Sequence, residues 1–323
     1  MVERAGLNGR LVTVFGGSGF LGRHVVRALA KRGYRVRAAV RRPDLAHHLQ
    51  PLGIVGQIHA VQANLRYRWS VDRAVEGSDA VVNCVGILAE AGRQRFDAVQ
   101  GFGPRAIAEA ARAAGLSRIV HVSAIGADPE SPAAYGRSKA EGEKGVLETL
   151  PDSIVFRPSV IFGPEDTFFN RFADMAALLP VLPITSGDTR FQPVFVGDVA
   201  EAIARAVDGA VAGGTVYELG GPEADSFKGL MQTMLEVIGR KRPILDVPAG
   251  LMRIPAGILQ YLPGQLMTMD QIAMLCSHNT VSEKAVAEGR TLSGIGVTPT
   301  AMGAILPSYL WRFRKHGQFA KAE

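Results

Sequence analysis

The sequence predicts an α/β protein with a doubly wound parallel sheet, joined to a smaller and mainly helical C-terminal region. Two observations lead to that expectation. Through the first half of the chain, short apolar runs of strand length alternate with amphipathic stretches of helix length, the order that lays a parallel sheet between two helix layers. A glycine-rich turn at residues 16–22 sits directly between the first strand and the first helix. The composition allows such a core: 47% of the 323 residues are apolar and 20% charged, unlike a disordered or collagen-like chain.

The apolar run 11–15 ends in glycines and reads as the first strand, and residues 20–31 repeat apolar side chains at helical spacing. Residues 34–40 form a second strand in which Arg35 and Arg37 alternate with apolar neighbours. Further strands are expected at 56–61, 80–85, 118–123 and 153–156, with helices at 71–75, 96–114 and 134–150. The alanine-rich end of the 96–114 helix runs into Gly115, a natural C-terminal cap. After Pro158 the pattern loosens to sheet elements at 191–196 and 215–219 around a helix at 199–207. From Gly221 onward helices dominate, broken by Pro243, Pro248, Pro255 and Pro263. The expected division is a larger sheet-bearing domain at 8–166 and 190–221, with a smaller domain at 167–189 and 222–323. No internal repeat or low-complexity tract is visible.

The net charge of +6 is unevenly spread, because the first fifty residues hold ten basic side chains against Glu3 and Asp44. That excess gathers around the glycine turn. No helix-turn-helix, zinc finger or aromatic-rich RNA surface accompanies it, so a nucleic-acid partner is not expected. Two cysteines, Cys84 and Cys276, make no disulfide framework and fit a reducing compartment. A strand beginning at Leu11 leaves no room for a signal or transit peptide. No uncharged apolar run reaches the roughly 18–20 residues of a membrane span. A soluble or at most peripheral protein is expected.

In the turn itself, Gly16 permits a tight bend, Gly19 lets backbone approach a pyrophosphate, and Gly22 allows close packing of helix on strand. Phe20 opens a helix whose free N–H groups and partial positive charge face the phosphates. A plain strand–helix turn is the alternative, but a place inside a βαβ unit favours the dinucleotide and a Rossmann-type sheet. An NAD site would want a carboxylate about 20 residues further on, for the ribose 2′-hydroxyl. Arg41 and Arg42 stand there instead, and the first acid is Asp44. Guanidinium forks suit a 2′-phosphate, so NADPH (NADP) is the expected cofactor. The alternative is that both arginines only solvate a loop. Asn64 and Leu65, after the third strand, are candidates for the adenine edge, with Asn where Asp is usual. Val85 and Gly86 end the fourth strand, where small residues let backbone face the cofactor. Both positions also fit ordinary turn chemistry.

Tyr135 and Lys139 share a helix face at i, i+4. A lysine ammonium beside the phenol would lower its pKa from about 10, readying it to exchange a proton with a carbonyl or alcohol during hydride transfer. Ser123 at the end of the fifth strand and Pro158 at the end of the sixth complete the expected cofactor-binding set. Other residues have plainer readings. Cys84 is a small buried side chain, His47 and His48 lie on a solvated face, and His121 is packed within a strand. The histidines show no metal spacing. Met267, Met269 and Met274 fill core or interface, and Asp198 caps or orients the helix that follows it.

These motifs resemble the extended and atypical short-chain dehydrogenase/reductase superfamily over essentially the whole chain. The likeness rests on GGSGFLG at 16–22, YGRSK at 135–139, Arg157-Pro158-Ser159, Phe162-Gly163-Pro164 and VFVGDVA at 194–200. More narrowly, residues 135–170 and the ending at 305–313 resemble the NADPH-binding accessory subunit of respiratory complex I and its bacterial relatives. That resemblance implies tightly held NADPH, docking on complex I subunits near the quinone site, and no established turnover. One departure matters. Active members of the superfamily place Ser or Thr two residues after the first serine of the fifth strand's end, and this chain has Ile125, with Ser131 as a possible substitute from the loop. The leading expectation is an NADPH-binding accessory or assembly subunit of complex I. The alternatives are an active NADP-dependent reductase or epimerase using Tyr135 and Lys139, and a nucleotide-sensing regulator.

Peripheral, salt-sensitive association with the cytoplasmic face of a bacterial inner membrane is expected from apolar segments beside cations. Candidate docking segments are the proline-broken apolar stretches 175–185 and 247–263, together with the final helix. That helix presents Ile305, Leu306, Tyr309, Leu310 and Phe313 beside Arg312, Arg314 and Lys315, an apolar face flanked by cations that suits a membrane edge or a partner subunit there. The alternative is that these apolar residues fill the core of the smaller domain and the cations are solvated.

Overall fold

The computed structural model describes residues 7–248, 250–251, 268–315 and 317. Its first half builds β1 (Leu11–Phe15), α1 (Phe20–Lys31), β2 (Arg35–Val40), β3 (Ile58–Gln62), α2 (Arg68–Val75) and β4 (Ala80–Asn83). It continues with α3 (Gly103–Ala113), β5 (Val120–Val122), α4 (Ala134–Thr149) and β6 (Ile154–Pro158). With β11 (Thr215–Leu219) these strands form one seven-stranded sheet in the order β11-β6-β5-β4-β1-β2-β3, every pair parallel. The order reverses direction between β1 and β4, which opens the crevice where a doubly wound sheet takes its ligand.

Alternation along β1 shows why both faces are covered. Val12 and Val14 face a core with Val25, Val26 and Leu29 of α1 and Val199, Ala202 and Ile203 of α6 (Val196–Asp208). Phe15 faces the opposite core, with Val71 and Val75 of α2, Ile107 and Ala111 of α3, and Val146 of α4. Each fully buried Val, Leu or Phe stabilises the sheet by about 1.5–3 kcal/mol, which is why β1 reads as a nearly unbroken apolar run. Gly115, at φ +84°, ends α3 where a cap was expected.

Several boundaries depart from the sequence expectation. The helix expected at 96–114 begins as a π-helical turn, Asp97–Phe102, before α3. The sheet element expected at 191–196 divides into β9 (Arg190–Phe191) and β10 (Val194–Phe195), and α6 starts at once with Val196. Asp198 does not cap α6: its carboxylate accepts from the Thr300 N–H at 2.7 Å and the Thr300 hydroxyl at 2.9 Å, tying the helix to a distant loop.

A separate core lies beyond the sheet's carboxyl edge, among α5 (Phe169–Leu178), α7 (Phe227–Val237) and α10 (Met302–Leu310). Phe168 is its aromatic hub, touching Phe169, Phe172, Phe191 and Phe227. The remaining strands and α-helices among the described residues are β7 (Ile161–Phe162), β8 (Leu182–Ile184), β12 (Asp225–Ser226), β13 (Ile244–Asp246), α8 (Met269–Leu275) and α9 (Glu283–Ala287). The final helix is part of this core, as the core-filling alternative for its apolar residues expects. Leu306 and Leu310 are wholly buried, Arg312 donates to Asn170, and Arg314 donates to the Val237 carbonyl. Pro255, Pro263, Arg253, Met267 and most of the 247–263 stretch lie outside the described residues. Among the described residues, no helix is long and apolar enough to cross a membrane.

Candidate nucleotide site

The glycine turn lies at the carboxyl end of β1. Gly16 adopts φ +75°, a conformation L side chains resist, and a Cβ there would stand 3.1–3.2 Å from Cys84 and Val85 of the neighbouring strand end. A Cβ on Gly22 would fall 2.1 Å from the Gly16 carbonyl oxygen, so no larger residue fits beneath the turn. Gly19 differs: a Cβ would meet only the Gly16 oxygen, at 3.3 Å, leaving its outer side open to a ligand. Gly19 caps α1 without a side-chain hydrogen bond, and the first turn, starting at Phe20, has no acid. Its N–H groups therefore remain available to an anion. Arg23, which sequence reasoning passed over as one more basic residue, folds back on this turn and donates to the Ser18 carbonyl at 3.4 Å.

The two arginines after β2 are not equivalent. Arg42 grips Asp44 through Nη2 at 2.7 Å and Nε at 3.0 Å, whereas Arg41 is exposed, with no hydrogen-bond or ion-pair partner among the described residues. Of the two guanidinium groups expected at a 2′-phosphate, Arg42 thus has a counter-ion two residues away and Arg41 stands open to solvent. Asn64 accepts from the Arg66 N–H at 3.2 Å, and the neighbouring Leu65 side chain packs inward toward Gly103.

Tyr135 and Lys139 meet at the start of α4, as their spacing requires. Lys139 Nζ lies 5.8 Å from the Tyr135 ring centroid and donates to the Val122 carbonyl at 3.2 Å. Phe96 meets the Tyr135 ring edge-on. A Cβ on Gly86 would stand 3.5 Å from Lys139 Nζ, so the β4 loop passes directly over the amine. The electrostatics run against the sequence expectation. Burial, reinforced by Asp270, pushes the Tyr135 phenol up to about 12 rather than down. Burial lowers Lys139 to about 8 although Glu143 and Cys84 oppose it. Burial also raises the Cys84 thiol to about 12, which leaves it unreactive. His121 is buried and drops to about 3, first from burial and then from Lys139.

Other contacts fix α4 that no motif announced. Gln100 accepts from the Ile87 N–H at 2.7 Å and donates to the Ser138 hydroxyl at 3.1 Å, linking the β4 loop to α4. Arg157 forks the Glu143 carboxylate at 2.8 and 2.6 Å. At the end of β5, Ser123 Oγ is buried without a hydrogen-bond partner among the described residues, the kind of orphan that a ligand polar group satisfies. Ile125 donates its N–H to Pro158 and is held through its carbonyl by Asn279 Nδ2 at 3.3 Å. Ser131, the possible substitute hydroxyl, accepts from the Ala133 N–H and packs against Gly136. Asp270 and Asn279 were missed because the groups their side chains hold, the Ala134 and Tyr135 N–H for Asp270 and Ile125, Ser159 and Val160 for Asn279, lie more than a hundred residues away and leave no local pattern. Among the described residues, no cluster of His, Cys, Asp and Glu could hold a metal ion.

A parallel sheet in this order, with a phosphate-shaped glycine turn and a Tyr–Lys pair at the crevice, defines a dinucleotide-fold protein of the short-chain dehydrogenase type. The chain belongs to the NAD dependent epimerase/dehydratase family, whose model matches residues 12–220. It is 31% identical, over 97% of its length and 80% of the relative's, to the Arabidopsis thaliana protein called NADH dehydrogenase (ubiquinone) 1 alpha subcomplex subunit 9, mitochondrial. A Caulobacter vibrioides ceramide reductase is 33% identical over 74% of each chain. Among solved structures, the Escherichia coli NADPH-dependent quinone oxidoreductase QOR2 complexed with NADPH superimposes with a TM-score of 0.71. At 22% identity, covering 93% of this chain and 98% of that one, it attests the fold alone.

Proposed function

We propose that this chain binds NADPH and serves as an accessory or assembly subunit of respiratory complex I, the nucleotide acting mainly as a structural ligand. The supporting observation for the partnership is similarity to a complex I subunit along 97% of the chain. The residues fit the nucleotide. Gly16, Gly19, Phe20 and Gly22 would take the pyrophosphate, Arg41 the 2′-phosphate with Arg42 at its side, and Asn64 and Leu65 the adenine edge. Val85 and Gly86 would face the nicotinamide half through backbone, while Ser123, Tyr135, Lys139 and Pro158 border its ribose. When bound, NADPH supplies a hydride, and this chain lacks the hydroxyl at Ile125 that would orient an acceptor carbonyl. Binding only the folded state, the nucleotide stabilises it. Docking near the quinone site would place the protein peripherally, on the cytoplasmic face of a bacterial inner membrane.

A second reading, an NADP-dependent reductase, is favoured by the intact Tyr135–Lys139 pair and the ceramide reductase relative. Purification from native membranes separates the two. Co-purifying complex I subunits and bound NADPH, stable to added carbonyls and quinones, are the expected result. Steady oxidation of bound NADPH by a carbonyl, with no complex I subunit recovered, would establish the reductase instead.

A further inference from the structure

The helix carrying Tyr135 and Lys139 begins without a cap of its own. Ala133 occupies the capping position of α4 in an extended conformation and has no side-chain oxygen, and the first turn contains no acid. The missing acceptor arrives from 135 residues away. Asp270, in the first turn of α8, takes the Ala134 N–H at 2.6 Å through Oδ1 and the Tyr135 N–H at 3.1 Å through Oδ2. A carboxylate at that point satisfies two orphan donors and complements the positive end of α4. It is itself held in place by a capping box, in which Thr268 accepts from the Gln271 N–H and Gln271 returns a bond to the Thr268 N–H.

Nine residues on, the same segment makes a second set of ties to the sheet's carboxyl edge. Asn279 Oδ1 accepts from the Ser159 hydroxyl at 2.7 Å and the Val160 N–H at 3.0 Å, and Asn279 Nδ2 donates to the Ile125 carbonyl. The strand ends after β5 and β6 and the start of α4 are therefore closed by one stretch of chain, 268–281. Every residue proposed to border the nicotinamide ribose lies within two residues of one of these ties or on the first two turns of α4.

We propose that Asp270 is a positioning residue for the nucleotide site, coupling occupancy of that site to the seating of segment 268–281 on the sheet. The inference rests on the NADPH-binding reading. Ordering the nucleotide against Tyr135 and Lys139 fixes the first turn of α4, which fixes its cap, and the coupling must run equally in the other direction. The nucleotide then reports on the small region: a chain whose 268–281 segment is unseated holds NADPH poorly, and an empty site loosens that segment.

Amide hydrogen exchange on the full-length protein, with and without NADPH, tests this. In the wild type, NADPH should slow exchange at Ile272, Asn279 and Val281 about tenfold, an ordinary coupling between sites. Asp270→Ala should bind NADPH about five- to tenfold more weakly, and nucleotide should no longer protect those amides. Ala133→Ser combined with Asp270→Ala restores a local cap without the tie. This double variant should regain the wild-type melting temperature while leaving the segment unprotected, and it serves in place of Asp270→Ala if that variant does not fold. Wild-type protein that binds NADPH with no change at these amides overturns the coupling alone, as does retained protection in the double variant. Wild-type protein that binds no nucleotide overturns both the coupling and the NADPH reading.

Discussion

The Lys139 ammonium donates to the Val122 carbonyl at 3.2 Å and sits 5.8 Å from the centre of the Tyr135 ring. It is a buried cation anchored to a strand end beside the phenol ring. Near neutral pH the phenol, pushed up to about 12, stays protonated, and the amine, lowered to about 8, is mostly charged. The pair is suited to donating hydrogen bonds to ribose oxygens more than to removing a proton from an alcohol.

Nucleotide affinity should therefore depend on pH through Lys139. A bound anionic nucleotide favours the ammonium, so affinity is full below about 8 and falls as pH rises through that value. The fall should involve one proton and disappear in Lys139→Met, which should bind more weakly at pH 7 but with a flat alkaline limb. Calorimetric titration between pH 6.5 and 9.5 reads this directly. An alkaline limb surviving in Lys139→Met would assign it to another group.

Cofactor choice should rest on Arg41 more than on Arg42, because Arg42 already holds Asp44 at 2.7 Å. Arg41→Glu should weaken NADPH on the order of 10- to 100-fold, the range of one charge-assisted hydrogen bond, while leaving NADH nearly unchanged. Arg42→Ala should cost NADPH much less. Parallel titrations with both nucleotides decide it, and equal wild-type affinity for the two would remove the case for a 2′-phosphate site.

Acid should destabilise the protein before its carboxylates titrate. His121 is buried, with Asn83 Nδ2 at 3.1 Å from Nδ1 and no partner for Nε2 among the described residues. Burial holds its folded pKa down to about 3, below the ordinary imidazole value of 6.5. Between those values the unfolded chain binds the extra proton, so stability drops as pH falls, by at most about 1.4 kcal/mol per unit from this one group. His121→Gln should flatten that slope between pH 6.5 and 5 in urea denaturation. An unchanged slope would mean that the imidazole is not what acid attacks.

How much of this was legible in the sequence follows from the range over which each feature is encoded. The βαβ alternation, the glycine turn and the Tyr135–Lys139 spacing are local patterns, and β1 and α1 lie where periodicity put them. Phe191 and Val194 looked like one strand because both are apolar, although Gln192 and Pro193 between them turn the chain from the β12 partner to the β7 partner. Arg41 and Arg42 read alike in the sequence, because adjacency to Asp44 does not say which guanidinium it holds. The acidity of Tyr135 was misjudged in sign: i, i+4 spacing counts the lysine but neither the desolvation nor a carboxylate arriving from Asp270. Three of the contacts that fix α4, through Gln100, Asp270 and Arg157, involve side chains whose own neighbourhoods look like ordinary polar surface.

The final helix offers the sharpest contrast between apolar composition and location. Its Tyr309 hydroxyl donates to Asp166 Oδ2 at 2.5 Å, and the same carboxylate accepts from the Gly163 and Asn170 N–H groups, so α10 is locked to the loop after β7. Tyr309 and Asp166 are 6% and 4% exposed. Tyr309→Phe should therefore cost about 1.5–3 kcal/mol of folding stability, the range for a hydrogen bond to a charged group, and should leave membrane association of the folded protein unchanged. The exposed apolar side chains of the 175–185 stretch behave in the opposite sense. Leu178 is 84% exposed and Leu179 40%, so Leu178→Ser with Leu179→Ser removes little packing and should alter stability by about 0.5 kcal/mol or less per site. If this stretch docks the protein on a membrane-bound partner, the double substitution should shift it from the pelleted to the soluble fraction of gently lysed cells without lowering its melting temperature. Equal recovery of wild type and double variant in the pellet would exclude the 175–185 stretch as the docking element.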